Sequence, residues 1–203
     1  MRQIPPVFSR RQLFVLAGAA ARMEAAEDDF WNSKPPAEWS AGDKYRLANH
    51  SPWANPVEGR HPNTSLRLPR SQGGGVTEPG PKGVVTWESA QPIRDALKTP
   101  LPRVFANFYV IGVDGIPLGN SYVGSLRRYT VLRSTGKPKW TVGAAVVREL
   151  IRNSAVYAFG FPKAAAPIVP DTGDVMFETE FGGWFIQAKF RPKEMLYHRQ
   201  LAL

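Results

Sequence analysis

The stretch Val175-Met176-Phe177-Glu178-Thr179-Glu180-Phe181-Gly182-Gly183-Trp184-Phe185-Ile186-Gln187-Ala188-Lys189-Phe190-Arg191 decides the fold. Its side chains alternate with a period of two, the period of an extended strand. Val175, Phe177, Thr179 and Phe181 share one face, and Met176, Glu178 and Glu180 share the other. After Gly182-Gly183 the alternation resumes, with Trp184, Ile186, Ala188 and Phe190 against Phe185, Gln187, Lys189 and Arg191. Two adjacent glycines can take the positive φ values of a tight hairpin turn. That turn pairs Phe181 with Trp184, Thr179 with Ile186, Phe177 with Ala188 and Val175 with Phe190. One face is then almost wholly apolar, and Glu178 lies diagonally from Lys189 on the wet face. A third run, Met195 to Leu203, is expected to return along this hairpin.

Working outward, Ala155 to Phe161 reads as another strand ended by Pro162, and Val104 to Val113 as a strong strand turned by Asp114-Gly115. Val84 to Trp87 is a short strand, followed by a helix through Ala96 and Leu97 with Pro92 in its first turn. Two further helices are expected. Tyr122, Val123, Leu126, Tyr129 and Leu132 recur at helical spacing behind a cap at Asn120 or Ser121. Val142, Val146, Val147, Leu150 and Ile151 do so behind Thr141. The predicted fold class is α+β, a mostly antiparallel sheet of five to seven strands with helices on one side.

Composition sets the outer bounds. The 203 residues, 43% hydrophobic, fit one domain with flanking segments and supply a proper core. The chain contains no cysteine, which excludes disulfides, thiolate metal sites and cysteine nucleophiles. No apolar run reaches the roughly 20 residues of a membrane-spanning helix. A net charge of +9 points to anionic partners.

Residues 1–25 read as an export signal: Ser9-Arg10-Arg11 ahead of a short apolar run, then small residues at Ala19 and Ala21. The Arg10-Arg11 pair favours the twin-arginine route, with a periplasmic or secreted destination. Cleavage after Ala21 removes Arg2, Arg10 and Arg11, and cleavage after Ala25 also removes Arg22 and Glu24, which cancel; at either site a charge of +9 becomes +6 and the mature chain stays basic. Residues 26–54 form a Trp-rich segment carrying Trp31, Trp39 and Trp53, with a short helix capped by Ser40 and Asp43 and ending before Pro52. Residues 55–82 are rich in Pro, Gly and Ser and read as a linker or long loop. Residues 83–203 make the α+β domain.

Several phrases together resemble an uncharacterised family of exported, Acidobacteria-type bacterial proteins. They are Phe30-Trp31 with Trp39, Ser51-Pro52-Trp53-Ala54, Trp87-Glu88-Ser89-Ala90, and Phe190-x-x-Lys193-x-Met195-x-Tyr197 with Leu201-x-Leu203. The resemblance implies a structured, exported domain and carries no activity with it. Pro192 stands where an aliphatic residue is expected, which shortens or edges the last strands.

The residues offer little catalytic chemistry. His50, His61 and His198 show no metal-ligand spacing, so no metal and no cofactor is expected. No Gly-x-Ser-x-Gly elbow is present. Asp171, Asp174, Glu178 and Glu180 are the one acidic cluster, and a carboxylate pair there could hydrolyse a glycan. Charge on the wet side of a hairpin explains it more simply. Arg127 and Arg128 could hold an anionic head group, and Trp31, Trp39 and Trp53 could stack a sugar; a solvated basic face and a staple onto the core are the plainer readings. The expected function is therefore an exported, envelope-associated binding or structural module without catalysis. Its partner is expected to be an anionic lipid or polysaccharide, and nucleic acid is not expected. A small glycan hydrolase acting through residues 171–180 is the alternative.

Overall fold

A computed structural model describes residues 29–61, 79–119, 122–151 and 154–203. The export signal, with Arg10 and Arg11, lies outside them. The fold is α+β and mostly antiparallel sheet, with four α-helices and eleven strands among the described residues.

The central hairpin has the register expected from the alternation. Strand β8 (Val175–Phe181) pairs antiparallel with β9 (Trp184–Phe190), Thr179 facing Ile186 and Phe177 facing Ala188. Gly182 and Gly183 take φ of +60° and +83°, the left-handed region that a two-residue turn requires. Strands β4 (Val131–Ser134) and β5 (Thr141–Gly143) complete a four-stranded sheet in the order β5-β4-β8-β9. A five-stranded sheet has the order β1-β2-β3-β7-β6. Its strands are β1 (Ala54–Glu58), β2 (Lys82–Trp87), β3 (Phe108–Asp114), β6 (Val146–Ile151) and β7 (Ala155–Pro162).

The two sheets are joined along both margins. Beyond β1, Arg60 and Phe185 exchange backbone hydrogen bonds of 3.0 and 2.7 Å. At the opposite margin the chain passes from β5 into β6. There Ala144 N–H donates to the Thr130 carbonyl and Ala145 N–H to the Gly160 carbonyl. These contacts link the two sheets into a circuit, with β1 and β6 still pairing with only one strand each along their ladders.

Aromatic rings fill the inside. Phe177 of the smaller sheet lies 5.6 Å from Phe159 and 6.2 Å from Phe161 of the larger one, and Trp87 lies 5.1 Å from Phe190. Phe161 on Phe177 and Trp87 on Phe190 pack edge-to-face, which adds to the burial of the rings. A second apolar cluster, formed by Phe105, Val110, Leu150, Val156 and Ala158, covers the outer face of β3 and β7. Burial on both faces accounts for the nearly continuous apolar run of β3.

Helices α1 (Phe30–Ser33), α2 (Ala41–Asn49) and α3 (Gln91–Leu97) gather beside β1 and β2. Ser40 caps α2 through a reciprocal capping box with Asp43, as expected. Phe30 lies edge-on to both Trp31 and Trp39, Trp39 lies edge-on to Tyr197, and these rings belong to the apolar cluster that contains Trp87 and Phe190, so the N-terminal segment is stapled to the core.

Four local expectations are corrected. The helix expected over 142–151 is the strand pair β5 and β6. The helix expected from Tyr122 shrinks to α4 (Val123–Leu126), after which Val131 and Leu132 enter β4. There the Thr130 hydroxyl donates to the Leu126 carbonyl at 2.6 Å and closes the helical turn. The run from Met195 does not return along β9. Pro192, with no N–H to give a ladder, opens a 3-10 turn, and the chain then makes its own small hairpin of β10 (Leu196–Tyr197) and β11 (Gln200–Leu201). The segment read as a linker opens with β1, which pairs with β2 although Pro56 lies within it. Pro56 is tolerated because β1 is at the margin of its sheet.

Candidate functional site

Past the hairpin, β9 leads into the 3-10 turn Pro192–Glu194. Buried Ala188, Phe190 and Pro192 alternate with exposed Lys189, Arg191 and Lys193. Extended backbone through Arg191 therefore sets Lys189 and Arg191 on one outward face, and Lys193, inside the 3-10 turn, adds a third exposed cation beyond them. Opposite them stands the N-terminal segment: α1, the end of α2 with Arg46 and His50, and the entry to β1. Between the two walls lies a cleft of about 860 Å³. Arg199, in the β10–β11 turn, is at its margin. Five Lys and Arg side chains line the cleft against two carboxylates, Asp29 and Glu194.

Hydrogen bonds fix the walls. Asn32 of α1 donates from its amide to the Leu196 carbonyl at 3.3 Å, and its Oδ1 accepts from the His198 N–H at 2.8 Å. This ties α1 to the C-terminal hairpin. His198 and Arg199 hold φ of +48° and +65°, a region in which glycine is the unstrained residue. Positive φ at both central residues is what the two-residue β10–β11 turn requires, met here by two side-chain-bearing residues.

The cations are only loosely engaged. Lys189 meets Asp174 at 2.6 Å and Arg191 meets Glu194 at 3.4 Å, both as solvent-exposed pairs. Exposed pairs contribute at most about 1 kcal/mol, so an incoming anion can replace them. Arg46 sits 3.5 Å from Asp43 and lies over the Phe30 ring at 5.2 Å. Burial pushes the Asp43 carboxyl upward, yet the Ser40 hydrogen bonds, with Lys34 and Arg46, outweigh it and hold the pKa below the ordinary value. That carboxylate anchors the helix and keeps Arg46 at the cleft wall.

A smaller cavity, about 570 Å³, lies beside β11 and is lined by Arg94, Arg103, Lys163 and Tyr197 among others. Burial and the adjacent Asp95 push the Tyr197 hydroxyl up to about 12, which leaves it a hydrogen-bond donor to Asp95 at 3.2 Å at neutral pH. Among the described residues no three His, Asp or Glu side chains converge to hold a metal ion.

The residues singled out from the sequence are distributed differently. Trp31, Trp39 and Trp53 are 5%, 3% and 0% exposed, so they present no open face for stacking a sugar. Trp31 reaches the cleft only as part of its floor. The Trp39 indole N–H donates to the Lys34 carbonyl at 3.0 Å, and that of Trp53 to the Ala202 carbonyl at 2.8 Å. Arg127 and Arg128 are exposed on the turn after α4, between Tyr122 and Tyr129, and do not line the cleft.

The acidic cluster does not form a paired site either. Glu178 accepts from Arg133 at 2.6 Å and from Gln187 at 2.8 Å, while Asp174 holds Lys189. The Arg133 guanidinium lowers the Glu178 pKa, against the opposing effect of burial and with help from Gln187. A general acid needs the reverse shift. None of Asp171, Asp174, Glu178 and Glu180 lines either cavity.

Reading the sequence for chemistry passed over the cleft. The outward row was visible in the alternation through Lys189 and Arg191. Nothing local announces that Arg46, His50 and Arg199 face it. Compared with known proteins, the chain matches no family model, no curated protein and no solved structure.

Proposed function

We propose that this chain is an exported, non-catalytic binding module that holds an anionic component of the cell envelope, lipid-borne or polysaccharide, in the basic cleft. The observation that carries the reading is the concentration of five cations around one concave site, opposed by two carboxylates. A cleft lined by one sign of charge raises the local concentration of the opposite sign. The basic balance left after removal of the leader supports it further, as does the Arg10-Arg11 signature. The hydrolase alternative has no comparable support, because Glu178 is occupied by Arg133 and Gln187.

Two measurements test this. The mature chain should be retained on anionic vesicles or an acidic polysaccharide at low ionic strength and released as salt shortens the screening length. Equal retention in low and high salt overturns the electrostatic reading. In cells, changing Arg10 and Arg11 together to Lys should leave uncleaved precursor in the cytoplasm. Normal processing of that variant assigns export to the general secretory route instead.

A further inference from the structure

The cleft has more definite chemistry than a general attraction for anions. Its volume, about 860 Å³, lies in the range of roughly 300–1,000 Å³ that holds a drug-sized ligand, and a lone inorganic anion would leave most of it empty. Its cations are not gathered at one point, as they are around a single phosphate. Lys189 and Arg191 are alternate residues on an extended chain, about 6.6 Å apart by strand geometry, and Lys193, in the 3-10 turn that follows, lines the same cleft. Arg46 and Arg199 stand on other elements across and at the end of the cleft. The charge is therefore spread along a line with a second wall beside it.

The floor is of another character. Pro52, Pro56 and Leu196 supply apolar surface to the lining, over a Trp31 ring that is itself almost wholly buried. The carboxamide of Asn55 and the hydroxyl of Ser51 stand with them, although that hydroxyl already donates to the Leu47 carbonyl. Sugar rings present apolar C–H faces bordered by hydroxyls, and an acidic sugar adds a charge at its rim. A bare phosphate polymer has no apolar face to match such a floor.

Building on the binding function above, we infer that the cleft accommodates a linear acidic glycan in extended form, its rings on the apolar floor and successive carboxylates along Lys189, Arg191 and Lys193. Each contact is weak by itself, because the cations are exposed and two already have carboxylate neighbours. Affinity then comes from several linked contacts, and it rises with the number of sugars until the row is filled.

The test is a titration of the mature chain with galacturonic acid, its tetramer, and a polyphosphate of the same charge as the tetramer. The tetramer is expected to bind at least about tenfold more tightly than the monomer. Lys193→Glu should weaken tetramer binding by roughly tenfold, since reversing a charge replaces attraction by repulsion. The double reversal of Arg127 and Arg128, off the cleft, should leave it unchanged. Thermal melts of all variants confirm that each is folded.

Monomer binding as tight as tetramer binding overturns the extended ligand and leaves anion binding intact. Polyphosphate binding more tightly than the tetramer overturns the glycan assignment while the cleft remains an anion site. Loss of binding on reversing Arg127 and Arg128, with Lys193→Glu silent, moves the site off the cleft and overturns the inference. Failure of the wild-type chain to bind any of the three probes overturns the proposed binding function as well.

Discussion

Glu178 shows how one residue changes meaning with its neighbour. On the hairpin alone it is a wet-face carboxylate diagonal to Lys189, and its removal should be almost neutral. In the folded chain β4 lies beside β8 and brings Arg133 to it, both Nε and a terminal nitrogen donating to one carboxylate oxygen. Arg133 is 38% exposed and Glu178 19%, so solvent screening holds the pair to about 1 kcal/mol. Arg133→Ala is expected to lower stability by about that amount in urea melts. The pH dependence follows from the lowered Glu178 pKa. Its contribution is complete above the ordinary value of 4.5 and fades as pH falls through the folded-state value. In Arg133→Ala that acid-side loss should be smaller than in the wild type. An unchanged acid profile would show that another carboxylate governs it.

At the scale of elements, two turns with positive φ make opposite predictions. Gly182 and Gly183 are unstrained in theirs. A Cβ on Gly183 meets nothing within 4 Å, so Gly183→Ala should cost about 1–2 kcal/mol for the left-handed backbone alone. A Cβ on Gly182 would collide with the Pro117 carbonyl oxygen, so Gly182→Ala should be the more damaging change. Equal losses would mean that the loop segment around Pro117 yields. The β10–β11 turn is the converse, with His198 and Arg199 where glycine would be relaxed. Arg199→Gly should raise stability by about 1 kcal/mol while weakening the binding of anions in the cleft. A variant that is more stable and binds as well would show that Arg199 serves neither cleft nor ligand.

The helix expected over 142–151 was misassigned for a physical reason. Val142, Val146 and Leu150 are four apart, a spacing that satisfies a helical face and the even positions of a strand equally. The β-branched residues lean toward strand, but the decision comes from pairing: β5 with β4, and β6 with β7. The hairpin at Gly182-Gly183 escapes that ambiguity because alternation is sustained over seven residues on both sides of an obligate turn, broken only by Met176, Thr179 and Phe185. The capping box at Ser40 is equally legible, since its partners are three residues apart.

Over the whole molecule the N-terminal segment and the chain end are bound into one body. Trp53, fully buried, donates to the Ala202 carbonyl across 149 positions of sequence and stands 5.5 Å from the Trp31 ring. Trp53→Phe keeps most of the ring but loses the donor and leaves a part-buried carbonyl unpaired. The expected loss is about 1–3 kcal/mol. Unfolding should remain a single transition when followed by fluorescence and by far-ultraviolet circular dichroism. Separate transitions would mark the Trp-rich segment as an independent unit.

What the sequence determined by itself is what depends on neighbours a few residues away. It dictates the period-two faces and register of β8 and β9, the glycine turn, the cap of α2, the break at Pro192 and the surplus of positive charge. Only the tertiary structure decided that the strands close into a circuit, that Arg133 rather than Lys189 holds Glu178, and that the tryptophans face inward. It alone assembled the cleft, whose walls come from residues near 30, 50, 190 and 199. The reason is that a face or a turn is a property of local backbone geometry. A partner or a cleft is a property of pairs far apart in the chain, brought together when burial of the common core selects one arrangement of the strands.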